Sequence, residues 1–192
     1  MSESAHHSEQ LFTYQDYLTW PENERWELLN GRPYNMTPAP SRRHQEISGQ
    51  LLTLFNNYLK GKTCRVYAAP FDVRLPQPPE SAEQASTVVQ PDLVIVCDKT
   101  KLDQRGCQGS PDLVVEITSP STFQKDLKDK FLLYEKVGVQ EYWIVYPEEN
   151  TLCVFNLTTE GKYSRPEVYT ERDSVKVGLF NDLTIELPEV FA

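Results

Sequence analysis

Glu116 lies inside the apolar run Leu113-Val114-Val115-Glu116-Ile117, which predicts a strand buried on both faces. An isolated carboxylate in such a strand costs several kcal/mol to desolvate, or its pKa rises until the group is neutral. The side chain therefore needs a partner, which can be an arginine, a hydrogen-bond network or a metal ion. A salt-bridged structural glutamate and a metal ligand are both open at this point.

Asp92 follows Pro91 at the start of the preceding apolar strand, where a side chain reaches the rim of a sheet. Carboxylates from two adjacent strands can converge on one hard cation, and Mg²⁺ commonly takes one or two carboxylates together with water and phosphate oxygens. Asp112 repeats the Pro-Asp pattern but precedes Glu116 by four residues on one strand, about 13 Å at about 3.3 Å per residue. We therefore predict that Asp92 and Glu116 share an ion, and that Asp112 is a turn residue at the start of its strand.

Lys130 is the third candidate. At about 100° per residue it falls within the apolar face of the helix that follows Glu116, whereas Lys128 falls on the opposite side. A lysine on an inward face needs a negative partner, which the neighbouring strands can supply. The alternative is a lysine whose ammonium group reaches the edge of the core along its aliphatic stem. Asp126, one turn earlier, borders the same face and is a further candidate partner.

The elements that position these residues alternate between strand and helix. Residues 66–75, 88–97, 112–118 and 142–146 are predicted strands, and residues 122–137 a predicted helix between the last two, which favours a partly parallel sheet with helices packed on it. Upstream, Thr13 caps a short helix, Asn30-Gly31 favours a hairpin turn, and Ser41 caps a longer helix. After Asn150 the pattern predicts an antiparallel extension. The fold class is thus α/β, with residues 1–10 as a disordered tail and residues 11–192 as a single domain.

The composition is that of an ordinary globular chain without an apolar run long enough to span a bilayer, and we expect a cytoplasmic protein. The four cysteines form no CxxC pair and have no suitable neighbouring histidines, so we predict reduced thiols and no zinc site. The formal net charge of -9 is unusual for a protein that grips phosphates. Between Arg42 and Arg74, however, the sequence contains six basic and two acidic residues, a net charge of +4, and a local basic patch is possible.

The motifs together resemble the restriction endonuclease family common in cyanobacteria, within the PD-(D/E)xK nuclease superfamily. The residues that carry this resemblance are Arg25-Trp26-Glu27-Leu28-Leu29-Asn30-Gly31, His44, Gln90-Pro91-Asp92, Asp112-Leu113-Val114-Val115-Glu116-Ile117-Thr118-Ser119-Pro120-Ser121, Asp126, Lys130, Tyr134 and Glu141-Tyr142-Trp143-Ile144-Val145. They extend over nearly the whole chain, and they are specific as an ensemble although each motif alone is weak.

The resemblance implies that Asp92 is the aspartate of PD and Glu116 the acidic residue of (D/E)xK. Threonine stands at position 118, where that motif expects lysine, and Lys130 is the substitute, a relocation known in the superfamily. The backbone carbonyl of Ile117 is implied as a further metal ligand. A restriction-endonuclease-like mixed sheet flanked by helices is the implied fold.

Glu27 and His44 are additional candidates. Glu27 lies in a predicted strand and can supply a further carboxylate, or it can be the cross-strand partner of an arginine. His44 lies on the apolar stripe of its helix, where a hydrogen-bonded core histidine is the simpler interpretation.

The expected activity is hydrolysis of phosphodiester bonds by an endonuclease that uses Mg²⁺ or Mn²⁺, with DNA as the expected nucleic acid. Asp92, Glu116 and Lys130 are the expected catalytic residues, and Arg42, Arg43, Lys60 and Lys62 the expected nucleic-acid contacts. Because cutting both strands needs two sites, we expect a homodimer. The alternative is a non-catalytic binding or assembly module that keeps the nuclease fold. It is favoured by the negative charge and by Thr118, and an ion pair that seals Glu116 from solvent would support it.

Overall fold

The structure, a computed structural model, describes residues 10–21, 23–36, 39–119 and 125–192, and the side chains of residues 125–127 lie outside the described part. It begins with a short helix and a hairpin. Helix α1 (Tyr14–Tyr17) is capped by the side chain of Thr13. Strands β1 (Trp26–Leu29) and β2 (Arg32–Asn35) pair antiparallel across Asn30 and Gly31, whose φ angles of 51° and 78° suit a type I′ turn. The predicted helix cap and hairpin are confirmed.

The longest helix, α2 (Arg42–Leu59), begins at Ser41, whose hydroxyl accepts a hydrogen bond from the backbone N–H of His44. The remaining elements, in chain order, are β3 (Arg65–Ala68), β4 (Asp72–Arg74), β5 (Val88–Val89), β6 (Leu93–Val96), a 3₁₀ turn at Lys99–Lys101, β7 (Leu102–Asp103), β8 (Gly106–Gln108), β9 (Leu113–Ile117), a π-helical segment at Lys125–Lys130, α3 (Phe131–Val137), β10 (Glu141–Tyr146), β11 (Thr151–Asn156), β12 (Glu167–Thr170), β13 (Ser174–Lys176), β14 (Thr184–Glu186) and α4 (Leu187–Val190).

Two mixed sheets organise these strands. The central sheet has the order β12-β11-β10-β9-β6-β3, and the flanking sheet has the order β2-β1-β5-β4-β8-β7. In the central sheet β9 and β10 run parallel, as the predicted strand–helix–strand unit requires, and the other pairs are antiparallel. The chain is therefore an α/β protein with a mixed central sheet and few flanking helices, as predicted.

The central sheet is covered on both faces. On one face Ile47, Leu51 and Phe55 of α2 pack with Trp143 of β10. On the other face Tyr134 of α3 and Val73 of the flanking sheet belong to a second apolar cluster. Glu116 thus lies in a strand buried from both sides, as its apolar neighbours predicted.

Two of the predicted strands are each divided between the sheets. Residues 66–75 form β3 in the central sheet and β4 in the flanking sheet, and residues 88–97 form β5 in the flanking sheet and β6 in the central sheet. The divisions fall at Pro70 and Pro91, because proline lacks the N–H that a continuous ladder requires. The prediction of single strands was wrong here. The division places Asp92 where the chain passes from one sheet to the other.

The C-terminal part is antiparallel, as predicted. β11 and β12 extend the central sheet, whereas β13 and β14 form a separate two-stranded sheet. Among the described residues, no helix is long and apolar enough to cross a membrane.

The expectation of reduced cysteines was wrong for two of the four residues. Cys64 and Cys97 form a disulfide, and Cys107 and Cys153 are free thiols. The register of β3 and β6 pairs Arg65 with Val96, so the next residues outward, Cys64 and Cys97, lie opposite each other. Their separation of 33 residues in sequence hides this proximity.

Candidate active site

Lys130 lies at the junction between the π-helical segment and α3, and it is 2% exposed. Its Nζ is 2.8 Å from Oε1 of Glu116 and 3.0 Å from Oε1 of Glu27. Lys128 is exposed, so the helical periodicity separated the two lysines correctly. The ammonium group therefore joins a carboxylate of the central sheet to one of the flanking sheet.

Glu116 is 3% exposed and accepts two hydrogen bonds at one oxygen. Besides Lys130, the hydroxyl of Tyr134 donates to Oε1 at 2.7 Å. Tyr134 follows Lys130 by four residues, so both side chains project from one helix face. Burial, and then the charge of Glu116, raises the pKa of Tyr134 well above its usual value, and the phenol remains a proton donor.

Glu27 lies in β1 and is fully buried. Its Oε1 also accepts a hydrogen bond from the backbone N–H of Gln90 at 2.9 Å. An arginine was one predicted partner of Glu27, and the structure places Lys130 in contact with it. With Glu116, two carboxylates share one lysine in the interior.

Asp92 is the most accessible carboxylate of this group, with a side chain 19% exposed. Leu93 pairs with Val115 in the antiparallel register of β6 and β9, so Asp92 lies beside the Glu116 end of β9. Its Oδ2 accepts a hydrogen bond from the backbone N–H of Ile117 at 2.7 Å. Asp92 is thereby held at the strand end from which Glu116 projects.

His44, in the first turn of α2, faces Asp92 from the other side. It is 8% exposed, and its Nε2 lies 3.3 Å from Oδ2 of Asp92. The predicted burial of His44 on the inner stripe of α2 is confirmed. In this position the imidazole helps to orient the Asp92 carboxylate.

The donor set fits a small hard cation. The carboxylates of Asp92 and Glu116 and the backbone carbonyl of Ile117 offer oxygen ligands, which Mg²⁺ and Mn²⁺ prefer. Within the described ranges, no group of three or more histidine, cysteine, aspartate or glutamate side chains is arranged to hold a metal ion. A site here would therefore contain two carboxylates, completed by the backbone, water and substrate.

The other two acidic candidates are Asp112 and Asp126. Asp112 lies at the opposite end of β9, where its carboxylate accepts hydrogen bonds from the backbone N–H of Cys97 and the side chain of Gln140. It is the residue at the start of the strand that the spacing predicted. The side chain of Asp126 lies outside the described residues.

Thr118 is buried, and its hydroxyl donates to the carbonyl oxygen of Val145 at 3.1 Å. It supplies no positive charge to the site. Lys130 is the lysine that the structure brings to Glu116.

The four predicted nucleic-acid contacts do not form one patch. Arg42 is exposed beside Glu46, near the His44 end of α2. Lys60 and Lys62 follow the other end of that helix, about 24 Å from His44 at about 1.5 Å per residue. Arg43 donates to the backbone carbonyls of Phe191 and Ala192 and to the side chain of Asn150, and it thereby anchors the C-terminus.

Tyr134 and Gln90 belong to this site, and the sequence reasoning assigned neither a role. Tyr134 could have been found from its spacing, since it lies one turn after Lys130 on the same apolar face. Gln90 had no such signal, because its contact with Glu27 spans 63 residues.

The sequence and the fold are both similar to those of known proteins. Residues 14–188 match the family model described as "Uma2: Putative restriction endonuclease". An uncharacterized protein of Synechocystis sp. is 28% identical over 152 residues, which cover 78% of this chain and 76% of that protein. The crystal structure of a "putative nuclease belonging to DUF820" from Anabaena variabilis superposes with a TM-score of 0.73 at 20% identity, covering 94% of this chain and 97% of that one. At that identity the likeness establishes the fold.

Proposed function

Since the chain belongs to the Uma2 family of restriction-endonuclease-like proteins, we propose that it is a divalent-metal-dependent endonuclease that hydrolyses phosphodiester bonds in DNA. The observation that carries this proposal is the contact of Lys130 with Glu116 at 2.8 Å, beside the strand end where Asp92 is held. Two carboxylates and a lysine at one edge of a mixed sheet are the groups that such hydrolysis uses.

The carboxylates of Asp92 and Glu116 and the carbonyl oxygen of Ile117 would hold Mg²⁺ or Mn²⁺. A bound ion would supply Lewis-acid chemistry, polarising the phosphate and lowering the pKa of the attacking water. His44 and the N–H of Ile117 hold the Asp92 carboxylate in place, and Lys130 and Tyr134 do the same for Glu116.

Lys130 has the second task of offsetting negative charge that develops on the phosphate. Its ammonium group is buried, so water screens its field little. Glu27 also contacts this group, at 3.0 Å, which limits the reorganisation needed during reaction. The hydroxyl of Tyr134 is a second hydrogen-bond donor to Glu116 and helps to hold its carboxylate.

We also propose an oligomeric state and a cellular compartment for this protein. A homodimer would provide one site for each strand of a duplex. The proposed compartment is the cytoplasm.

A second candidate function is a non-catalytic binding or assembly module. The observation that favours it is the closure of Glu116, which is 3% exposed and paired with Lys130. An ion pair of this kind can stabilise the fold without taking part in catalysis. Metal affinity distinguishes the two functions, because a sealed structural pair has no free ligand oxygen to offer.

We expect Asp92→Asn to weaken Mn²⁺ binding by at least about tenfold, because it removes one of two charged ligands. Isothermal titration calorimetry measures the affinity. The matched control is Asp112→Asn, which changes the same Pro-Asp pattern at the other end of β9. Equal Mn²⁺ affinity in the wild type and both variants, or no measurable affinity in the wild type, would favour the module.

We also expect DNA affinity to be weak and to fall steeply as salt is raised, because phosphate contacts release counterions. Arg42→Glu should weaken binding more than Lys60→Glu or Lys62→Glu, since Arg42 lies at the His44 end of α2 and the two lysines follow its other end. Fluorescence anisotropy at several salt concentrations tests this with catalysis blocked by EDTA. Affinity independent of salt would contradict the expectation.

A further inference from the structure

A surface depression that is rich in aromatic side chains lies next to the candidate active site. Its volume is about 710 Å³, within the usual range for ligand pockets. Trp20, Trp26, Tyr67 and Phe71 line it, and we call it the aromatic pocket. All four side chains are partly exposed and line the pocket, while Trp20, Tyr67 and Phe71 also pack against apolar core clusters.

The rings are arranged in two groups. Tyr67 and Phe71 are stacked with centroids 4.3 Å apart and planes 4° from parallel. Trp20 and Trp26 meet at 70° with centroids 5.4 Å apart, and Nε1 of Trp26 donates to Glu24 at 3.0 Å. Hydrogen bonding and mutual packing thus hold flat surfaces in fixed positions.

Gln90 connects the aromatic pocket with the active site. Its side chain lines the pocket, donating to the Tyr17 hydroxyl and to Asp72 and accepting from Nε of Arg25. Its backbone N–H donates to Glu27, the partner of Lys130, and Asp92 is two residues further along the chain. Two residues span at most about 7 Å, so the pocket and the carboxylates are neighbours.

The charges around the pocket select the kind of occupant. Two arginines, Arg25 and Arg105, face three carboxylates, those of Glu24, Asp72 and Asp103. This balance disfavours a phosphate group, which needs an excess of positive charge. It suits a neutral, flat group with hydrogen-bond donors on its edge, which is the description of a nucleobase that bears an exocyclic amine.

We infer that the aromatic pocket binds an unpaired nucleobase of the nucleic-acid strand whose phosphate lies at Asp92 and Glu116. Base stacking on aromatic side chains supplies affinity without a basic surface, which reconciles nucleic-acid binding with a net charge of -9. The inference rests on the proposed nuclease function and adds a substrate preference to it. Single-stranded or distorted DNA binds more tightly than regular duplex, whose bases are stacked and paired.

Intrinsic fluorescence tests this directly, because two of the three tryptophans line the pocket and the third, Trp143, is fully buried. Titration with a single-stranded decamer of mixed adenine and cytosine, in EDTA, should quench tryptophan emission. The same sequence as a duplex should bind at least about tenfold more weakly. Tyr67→Leu and Phe71→Leu should each reduce single-strand affinity about tenfold, as expected for loss of one stacking partner. Tyr169→Leu, on the outer strand β12, is the matched control and should bind normally.

Measuring oligonucleotide binding and DNA cleavage separately distinguishes a failure of this inference from a failure of the proposed function. If oligonucleotides bind at the pocket but no metal-dependent cleavage occurs, the nuclease proposal fails and the pocket stands. If plasmid is cleaved but the single strand neither quenches emission nor outcompetes duplex, the pocket inference is overturned. Quenching by a proline-rich peptide or by self-association, without quenching by the oligonucleotide, also overturns it. Thermal melting identifies unfolded variants, and the wild-type quenching decides the matter if both leucine variants fail to fold.

Discussion

Lys130→Ala is expected to reduce metal-dependent DNA cleavage by about 10²–10³-fold, the usual effect of removing one preorganised charge from a site that excludes water. Lys128→Ala is expected to leave cleavage nearly intact, because Lys128 is exposed on the opposite side of the same segment. Nicking of supercoiled plasmid in Mn²⁺ measures both rates. The two variants make a matched pair, since the residue type and the segment are the same.

The same substitution should destabilise the fold. Without Lys130, the buried carboxylates of Glu27 and Glu116 lose the ammonium group that both contact, and breaking such a pair costs about 3–5 kcal/mol. Urea denaturation must therefore accompany the rate measurement, and rates must come from the folded fraction. Full cleavage by folded Lys130→Ala protein would remove Lys130 from the mechanism.

A partial rescue is expected from Thr118→Lys in the Lys130→Ala background. Thr118 follows Glu116 by two residues, so by strand alternation its side chain projects from the same face. A lysine there would restore the spacing of the (D/E)xK motif and return a positive charge to the site. Recovery of cleavage above the level of Lys130→Ala would show that the two positions converge in space.

Glu116→Gln is expected to abolish metal-dependent cleavage, since the amide keeps the shape of the side chain but loses the charge that holds a divalent ion. Its effect on stability should be smaller than that of Lys130→Ala. The amide oxygen can still accept from Tyr134, and Lys130 keeps Glu27 as its charged partner. A loss of about 1.5–3 kcal/mol is expected, the range for a hydrogen bond to a charged group.

The control for this substitution is Glu148→Gln, because Glu148 is exposed in the turn after β10. Plasmid nicking and urea denaturation are measured for both proteins. A Glu116→Gln protein that cuts at the wild-type rate would support the interpretation of Glu116 as a structural ion-pair residue. Loss of cleavage together with unchanged Mn²⁺ affinity would instead place the ion elsewhere.

The amino-acid pattern by itself determined those features that depend on neighbours within one turn or one strand. Helical periodicity placed Lys130 inward and Lys128 outward, and both positions are as predicted. Asn30-Gly31 determined the hairpin turn, and Ser41 the start of α2. The apolar run around Glu116 determined its burial. Each of these features follows from local geometry, which a sequence expresses directly.

Tertiary structure decided which distant groups meet. Glu27 joins Lys130 only because the flanking sheet packs against α3 and the central sheet, and Gln90 reaches Glu27 across 63 residues of sequence. The disulfide between Cys64 and Cys97 follows from the register of β3 and β6. Arg43, an expected nucleic-acid contact, donates to the backbone carbonyls of Phe191 and Ala192. Such contacts depend on sheet order and on where proline divides a strand between sheets, and neither property is set by residues adjacent in the chain.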